Sequence, residues 1–370
     1  MMDVQLAPEA LEFGRQARRA FELAGGHALL QRAEPDPRLR RELVEPILDR
    51  LGAWDLAPRR DPGELEAVAA LCRSAGYWSI PYPVAERLAR PHHQDPDGYA
   101  VDGLVVISER DPRGPLAGLD FRWAAVTLDG SFGNVTVTHT DAPPRHTAFS
   151  TRLEWRPYGQ VANRPEADAR SAGHSAALGG RSEAVDVPDV GRAVASGGTA
   201  GTQDFVGQEQ GALDLALGLV LPCWTLLGML DRALDLTRAH VLTREQFGQP
   251  LAEFQAVQFQ LTDAEVERRG VDMLARYALC GIAARDPGAV DDALALRLAA
   301  LEAAEIVFRV AHQLHGALGF CDESPLSWLS RYSLPLRRLP LGSAGTEDLL
   351  TRRIGRRGLT GLFSGNAQGA

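Results

Sequence analysis

REQFGQPLAEFQAVQFQLTDAEVE at residues 244–267, followed by QLHGALGF at residues 313–320, decides how this sequence is read. Each stretch has a plain local meaning. In the first, Gly248 and Pro250 interrupt a helical pattern and mark a turn, with Phe247 as an ordinary packing residue beside it. In the second, Gly316 suits a helix C-cap with its hydrophobic contact. Around both, the chain reads as helical from 211 to about 358. Its breaks fall at Pro222, at the REQFGQP turn, at Asp286-Pro287-Gly288 and in the 316–325 segment. Four long helices between such breaks predict an up-and-down bundle. The apolar run at 211–230 is long enough to weigh as a membrane span. Asp214 and Pro222 interrupt it, however, and Asp231-Arg232 follow at once, so a buried bundle helix is the expectation, with no membrane partner.

Outward from the bundle, residues 1–95 show helical spacing, with Leu43, Ile47, Leu48 and Leu51 on one face, until the prolines of SIPYP stop it. Between about 96 and 158 the period shortens. LVVIS, WAAVTLDG and GNVTVTHT are β-branched runs separated by Gly, Pro and Asp, which reads as a small antiparallel β-domain. Residues 159–210 turn to Gly, Ala, Ser, Asp and Arg, a loop-rich end of that domain. The expected architecture is α+β and multidomain. An N-terminal helical domain (1–95) precedes a middle β-domain (96–210), a C-terminal four-helix bundle (211–358) and a tail (359–370).

A length of 370 residues suits two or three domains, and 45% hydrophobic with 24% charged residues is the composition of an ordinary globular protein. The net charge of −9 argues against a nucleic-acid partner. Four cysteines with no CxxC pair suggest buried thiols in a reducing compartment. With no basic-then-apolar leader pattern, the expected compartment is the cytoplasm. GxGxxG and GxxxxGK[ST] do not occur, which removes support for Rossmann and P-loop readings. His312 and His315 form an HxxH without an evident third ligand, and His92-His93 lie in a polar loop, so no metal site is expected. The arginines at 331, 337, 338, 352, 353, 356 and 357 form a basic run that reads equally as a phosphate- or subunit-facing patch or as a solvated helical face.

Together the two opening stretches resemble the acyl-CoA dehydrogenase family. The first matches its R-x-x-F-G turn with a following glutamine; the second is similar to its Q-x-x-G-G-x-G-F. AGTEDLL at 344–350 is a weaker third match. The resemblance covers about 211–357 by motif and the rest by domain order. It implies a flavoprotein fold and FAD as cofactor, with the R-x-x-F-G turn reaching the FAD of a neighbouring subunit. On that basis Arg244 would offer a forked cation to the pyrophosphate. Phe247 and Leu251 would line the adenine side, and Gln255 would follow. Gln313 and Gly316 would approach from the second segment, the glycine letting the backbone come close. Thr346 stands where the family's G-T threonine contacts flavin.

The sequence departs from the family where the chemistry happens. That reaction needs a carboxylate to remove the α-proton while flavin accepts a hydride. One position of the family's glutamate is Ala344 here. The other, counted back from Arg244, falls at Gly218, and an arginine on the CoA side falls at Leu219. No catalytic residue is therefore assigned. Ser108-Glu109 in ISERDPRG is the nearest remnant of the family's flavin-touching strand. Three readings follow. The first is a degenerate subunit that completes a partner subunit's FAD site. The second is an active homo-oligomeric dehydrogenase with a displaced base, Glu347 or Asp348. The third is a flavin-free interaction protein on the same fold. In the first two, the resemblance implies an acyl-CoA substrate and, by analogy, an electron-transfer flavoprotein as acceptor.

Overall fold

The computed structural model describes residues 5–91, 98–138, 150–158 and 200–358, with residues 200–210 described as helix backbone alone. His92-His93, residues 159–199 and the 359–370 tail lie outside the described residues.

Among the described residues, five α-helices build the first domain: α1 (Pro8–Leu23), α2 (His27–Ala33), α3 (Pro37–Arg50), α4 (Pro62–Tyr77) and α5 (Val84–Leu88). Their starts are written in the sequence. Proline opens α1, α3 and α4, where its missing N–H costs nothing. Asp36 and Asp61 cap the latter two by accepting from the amides of Arg38 and Glu64 at 2.8 and 2.9 Å. α1 lies on α4 through small residues: Gly14 faces Ala70, and the Ser74 hydroxyl donates to the Gly14 carbonyl at 2.8 Å.

Among the described residues, the middle domain is one five-stranded sheet of β1 (Gly103–Ile107), β2 (Arg113–Gly114), β3 (Trp123–Thr127), β4 (Phe132–Val137) and β5 (Thr151–Pro157), in the order β1-β3-β4-β5-β2. The expectation of a purely antiparallel domain needs one correction: β1 pairs with β3 in parallel, Gly103 opposite Trp123 through Ile107 opposite Thr127, while the other pairs are antiparallel. The reason is burial on both faces. Every residue of β1 and β3 is buried, a pattern that belongs to strands covered on both sides. Leu104, Val106, Ala124 and Val126 join the main core, whereas Val105, Ile107, Trp123 and Ala125 point the other way, into a smaller core with Leu116, Val135 and Leu153.

The C-terminal part comprises α6 (Ala200–Thr243), a two-stranded hairpin of β6 (Glu245–Gln246) and β7 (Gln249–Pro250), then α7 (Gln255–Ala283), α8 (Ala289–His315), α9 (Pro325–Arg338) and α10 (Ser343–Arg357). The turns at 244–250, 284–288 and 316–324 fall where the sequence places them. Pro222 does not break the chain, because α6 runs through it as one 44-residue helix that also begins before residue 211. Proline forfeits one backbone bond, but Leu217, Leu219, Leu221, Cys223 and Trp224 around it are all buried and hold the helix together. The stretch 211–243 is long and apolar enough to cross a membrane, yet most of it is buried inside the protein, as in a core helix.

α6 touches every domain. Against α5 and the first-domain loops, Asp214 is fully buried and accepts from Arg59 Nε at 2.9 Å; Arg59 also donates to the carbonyls of Ala89 and Arg90 at 2.6 and 2.7 Å. Against the sheet, Gly218 lies so close to β1 that an added Cβ would stand 2.5 Å from a Val106 methyl. Removing one partner of such a buried pair strands a charge, at a cost of roughly 3–5 kcal/mol. Asp214→Ala is therefore expected to lower unfolding free energy by about that amount in urea titrations, and Arg59→Met combined with Asp214→Leu to recover most of it. Equal loss in the single and double variants would contradict this account.

Candidate cofactor-clasp surface

The two sequence motifs meet at one end of the bundle. α6 ends at His240–Thr243, the hairpin projects beyond it, and α8 ends alongside. The imidazoles of His240 and His315 stack there with centroids 4.5 Å apart and planes 16° from parallel. Phe320 closes the same corner, stacked on His312 at 4.4 Å. Burial is the first cause holding the pKa of each of the three histidines below the ordinary imidazole value; His315 adds to it for His240 and His312, and Arg244 for His240. Three imidazoles whose charged form is disfavoured thus form the floor under the motifs, and no cluster of metal-binding side chains occurs among the described residues.

The hairpin is a two-residue turn with positive φ at both central positions, 55° at Phe247 and 85° at Gly248, the signature of a type I′ turn. Glycine adopts that geometry freely. A phenylalanine there is strained by about 1–3 kcal/mol. The ring gains little in return from its own chain: Phe247 is 92% exposed, with one edge contact to Phe254 at 6.2 Å. Beside it Arg244 is exposed, and its guanidinium has no ion pair or hydrogen bond among the described residues. Gln313 and Gly316 are exposed on the α8 side, Gly316 has φ of 59°, and an added Cβ there would meet nothing within 4 Å. Leu251 is half-buried below the hairpin and Gln255 is exposed at the start of α7. Leu242, Leu318 and Phe320 leave further apolar surface open nearby. A free guanidinium, an outward aromatic ring and an open glycine form a surface that can hold a phosphate and a flat ring arriving from outside.

Thr346 lies elsewhere. It is buried in the first turn of α10, and its hydroxyl donates to the Gly342 carbonyl at 2.9 Å. Arg297, on α8, fixes the approach to that helix by donating to the carbonyls of Leu339 and Leu341 at 2.5 and 2.7 Å. From Arg297 to Gln313 along α8 is roughly 24 Å at 1.5 Å per residue, so Thr346 belongs to a different region from the Arg244–Gln313 surface. Ala344 and Glu347 are exposed, and Asp348 is exposed and bound to Arg352. Ser108 and Glu109 form the turn after β1.

Sequence reasoning passed over two groups here. His240 gives no signal until α6 and α8 are placed side by side. Glu86 sits in a short helix whose pattern looks unremarkable, yet it is fully buried beside a cavity of about 30 Å³ lined by Tyr82, Thr225, Met229, Tyr332 and Leu336. One of its carboxyl oxygens has no hydrogen-bond partner among the described residues, and burial pushes its pKa up to about 7.

Residues 215–359 match the family described as acyl-CoA dehydrogenase, C-terminal domain. Over those residues the chain carries the C-terminal domain of the acyl-CoA dehydrogenase family. Among curated proteins, acyl-CoA dehydrogenase FadE27 of Mycobacterium tuberculosis is 34% identical over 141 residues, covering 35% of this chain and 36% of that protein. A 3-sulfinopropanoyl-CoA desulfinase of Paraburkholderia xenovorans is 33% identical over 147 residues, covering 40% of this chain and 34% of that protein. The matches thus span about a third of those relatives' lengths. The ChsE4-ChsE5 complex of Mycobacterium tuberculosis has the same fold, with a TM-score of 0.64 at 17% identity over 96% of this chain and 98% of that one. So does the Tcur3481-Tcur3483 steroid ACAD, with a TM-score of 0.63 at 19% identity over 95% and 99%. FAD is the cofactor that goes with this family.

Two measurements probe these features. Asparagine tolerates the left-handed conformation, so Phe247→Asn is expected to stabilise the isolated chain by about 1 kcal/mol, visible as a rise in thermal midpoint. A fall would mean the ring is held by contacts of its own chain. The raised pKa of Glu86 gives a definite sign. Its contribution to stability is fully present below the ordinary carboxylate value and lost as pH rises through about 7. Glu86→Gln should therefore flatten the decline between pH 5 and 8 and stabilise the protein at pH 8 by roughly 2 kcal/mol. Unchanged pH dependence would place the titrating group elsewhere.

Proposed function

We propose that this chain is a cofactor-sharing subunit of a hetero-oligomeric, FAD-dependent acyl-CoA dehydrogenase, lacking a catalytic base and completing the FAD site of a partner subunit. The observation that carries this reading is Phe247, held in a strained turn and turned 92% to solvent beside the free guanidinium of Arg244. The chain's own fold gives no reason for either. In the proposed assembly Arg244 holds the pyrophosphate, Phe247 and Leu251 flank the adenine side, and the Gln313 amide and Gly316 backbone close over it, with Gln255 at the edge. When bound, FAD supplies the hydride acceptor.

The chain's own base positions support a division of labour. Ala344 is apolar, and a side chain at Gly218 would collide with Val106. Asp214, the acid on that part of α6, is committed to Arg59. The cavity between α5, α6 and α9 holds about 30 Å³, far below the roughly 300 Å³ of a small-ligand pocket. Against a displaced base stand the exposure of Glu347 and the ion pair of Asp348 with Arg352. Two solved relatives of this fold are, by their own descriptions, pairs of differently named chains, ChsE4-ChsE5 and Tcur3481-Tcur3483. The partner would bind the acyl-CoA and remove its α-proton, in the cytoplasm, with an electron-transfer flavoprotein as acceptor.

The test is co-expression with a dehydrogenase subunit that retains its glutamate. The purified pair should be yellow and active, and this chain alone should hold little flavin. Arg244→Ala in the pair should weaken FAD binding roughly 10- to 100-fold, the worth of a charge-assisted contact, read by flavin fluorescence titration. One FAD per subunit with turnover in this chain alone would overturn the proposal.

A further inference from the structure

A groove of about 600 Å³ opens between α1 and α7, with α4 and α6 as its floor. Small side chains explain its depth. Gly14 lets α1 settle so low on α4 that an added Cβ would stand 3.0 Å from that of Ala70. α7 packs on α6 instead, and the space between the two outer helices stays open. Its volume lies within the range of small-molecule sites, roughly 300–1,000 Å³. None of the residues of the cofactor-clasp surface lines it.

The lining has two chemical parts. Leu6 and Leu11 from the α1 segment, with Leu234 of α6 and Leu261 of α7, give it apolar walls. The charged part holds five arginines against three carboxylates, an excess of cation in a chain whose net charge is −9. Three of those guanidinia are committed. Arg15 is paired with Glu12 at 2.6 Å, Arg73 with Asp231 and Asp272 at 2.6 and 2.7 Å, and Arg268 with Glu265 at 2.7 Å. Arg18 and Arg238 are different. Their carboxylate neighbours, Asp231 and Asp235, stand 3.8 and 4.0 Å away, beyond hydrogen-bond reach. Neither guanidinium makes a hydrogen bond among the described residues. Asp235 accepts instead from the Tyr77 hydroxyl at 2.8 Å. Arg18 is nonetheless held in place, because its guanidinium carbon lies 3.9 Å from the centre of the Tyr77 ring. That contact uses the flat face of the cation and leaves its N–H edge free.

Unused forked donors beside apolar walls suit a ligand with the opposite pair of properties, an anionic head and an apolar body. A single charge fits the head best, since Asp231 and Asp235 would repel a second one. We infer that this groove binds an aliphatic carboxylic acid, its carboxylate held by Arg18 and Arg238 and its chain lying along the leucines. The site is separate from the FAD clasp, and the inference stands whether or not this chain shares a partner's flavin.

Three probes separate the two halves of the site. In titration calorimetry on the full-length chain, octanoate should bind at least about 10-fold more tightly than acetate, which lacks the chain. The same margin should separate it from octan-1-ol, which lacks the charge. Arg18→Met combined with Arg238→Met should weaken octanoate about 10- to 100-fold, the worth of charge-assisted hydrogen bonds, and leave octan-1-ol affinity unchanged. Helical circular dichroism should persist in that variant, since neither guanidinium is hydrogen-bonded. Leu261→Gln, in the half-buried wall, should weaken octanoate and octan-1-ol alike. The inference is overturned if octanoate does not bind, or if acetate or octan-1-ol binds as tightly. Octanoate affinity that survives either variant would also overturn it, by placing the acid in another cavity.

Discussion

The structure hangs on the place where α4 and α6 touch backbone to backbone. A Cβ at Gly76 would stand 1.8 Å from the carbonyl oxygen of Thr225, and one at Gly228 would stand 1.9 Å from that of Arg73. Neither position tolerates even a methyl group without separating the helices. This crossing fixes how far α6 has slid past the first domain. It thereby sets Asp214 against Arg59 at one end and the height of the hairpin at the other. A polar lattice seals its flank: Arg73 donates to Asp231 at 2.6 Å and to Asp272 at 2.7 Å, Arg268 reaches Asp231 at 3.2 Å, and Tyr77 donates to Asp235 at 2.8 Å. Each of those arginines has a carboxylate to meet, so the pairs hold register without stranding a charge.

What the sequence made legible was local. Turn chemistry at 244–250 and 286–288 is carried by a few adjacent residues, and both turns fall where expected. Domain order and the bundle followed from helical period. The failures were tertiary. Pro222 reads as a break because a proline does break an isolated helix, but here the buried leucines and Trp224 around it decide. The parallel pairing of β1 with β3 depends on which strands neighbour one another, and no pattern within either strand records it. On α7, Phe259, Val266 and Met273 look like core residues by type, yet the buried face runs through Val257, Ala264 and Val271 and leaves those three exposed.

The surface residues proposed from sequence divide by location. Arg244, Phe247, Leu251, Gln255, Gln313 and Gly316 belong to one end of the bundle, whereas Thr346 sits against the opposite half of α8, packed into its own helix. Motif matching alone could not separate them, since both sets belong to one family pattern. Geometry separates them by tying the 336–341 segment to Arg297.

The continuity of α6 has a consequence for how such a chain changes over generations. Gly218, pressed on the sheet, and Thr243, at the hairpin, are joined by one uninterrupted helix and lie roughly 35–40 Å apart at 1.5 Å per residue. A side chain at Gly218 would press on Val106, and an unbroken helix carries such a displacement on to the hairpin. The two ends are therefore constrained together, and both lie inside the stretch matched to the family, 215–359, within a fold shared along nearly the whole length.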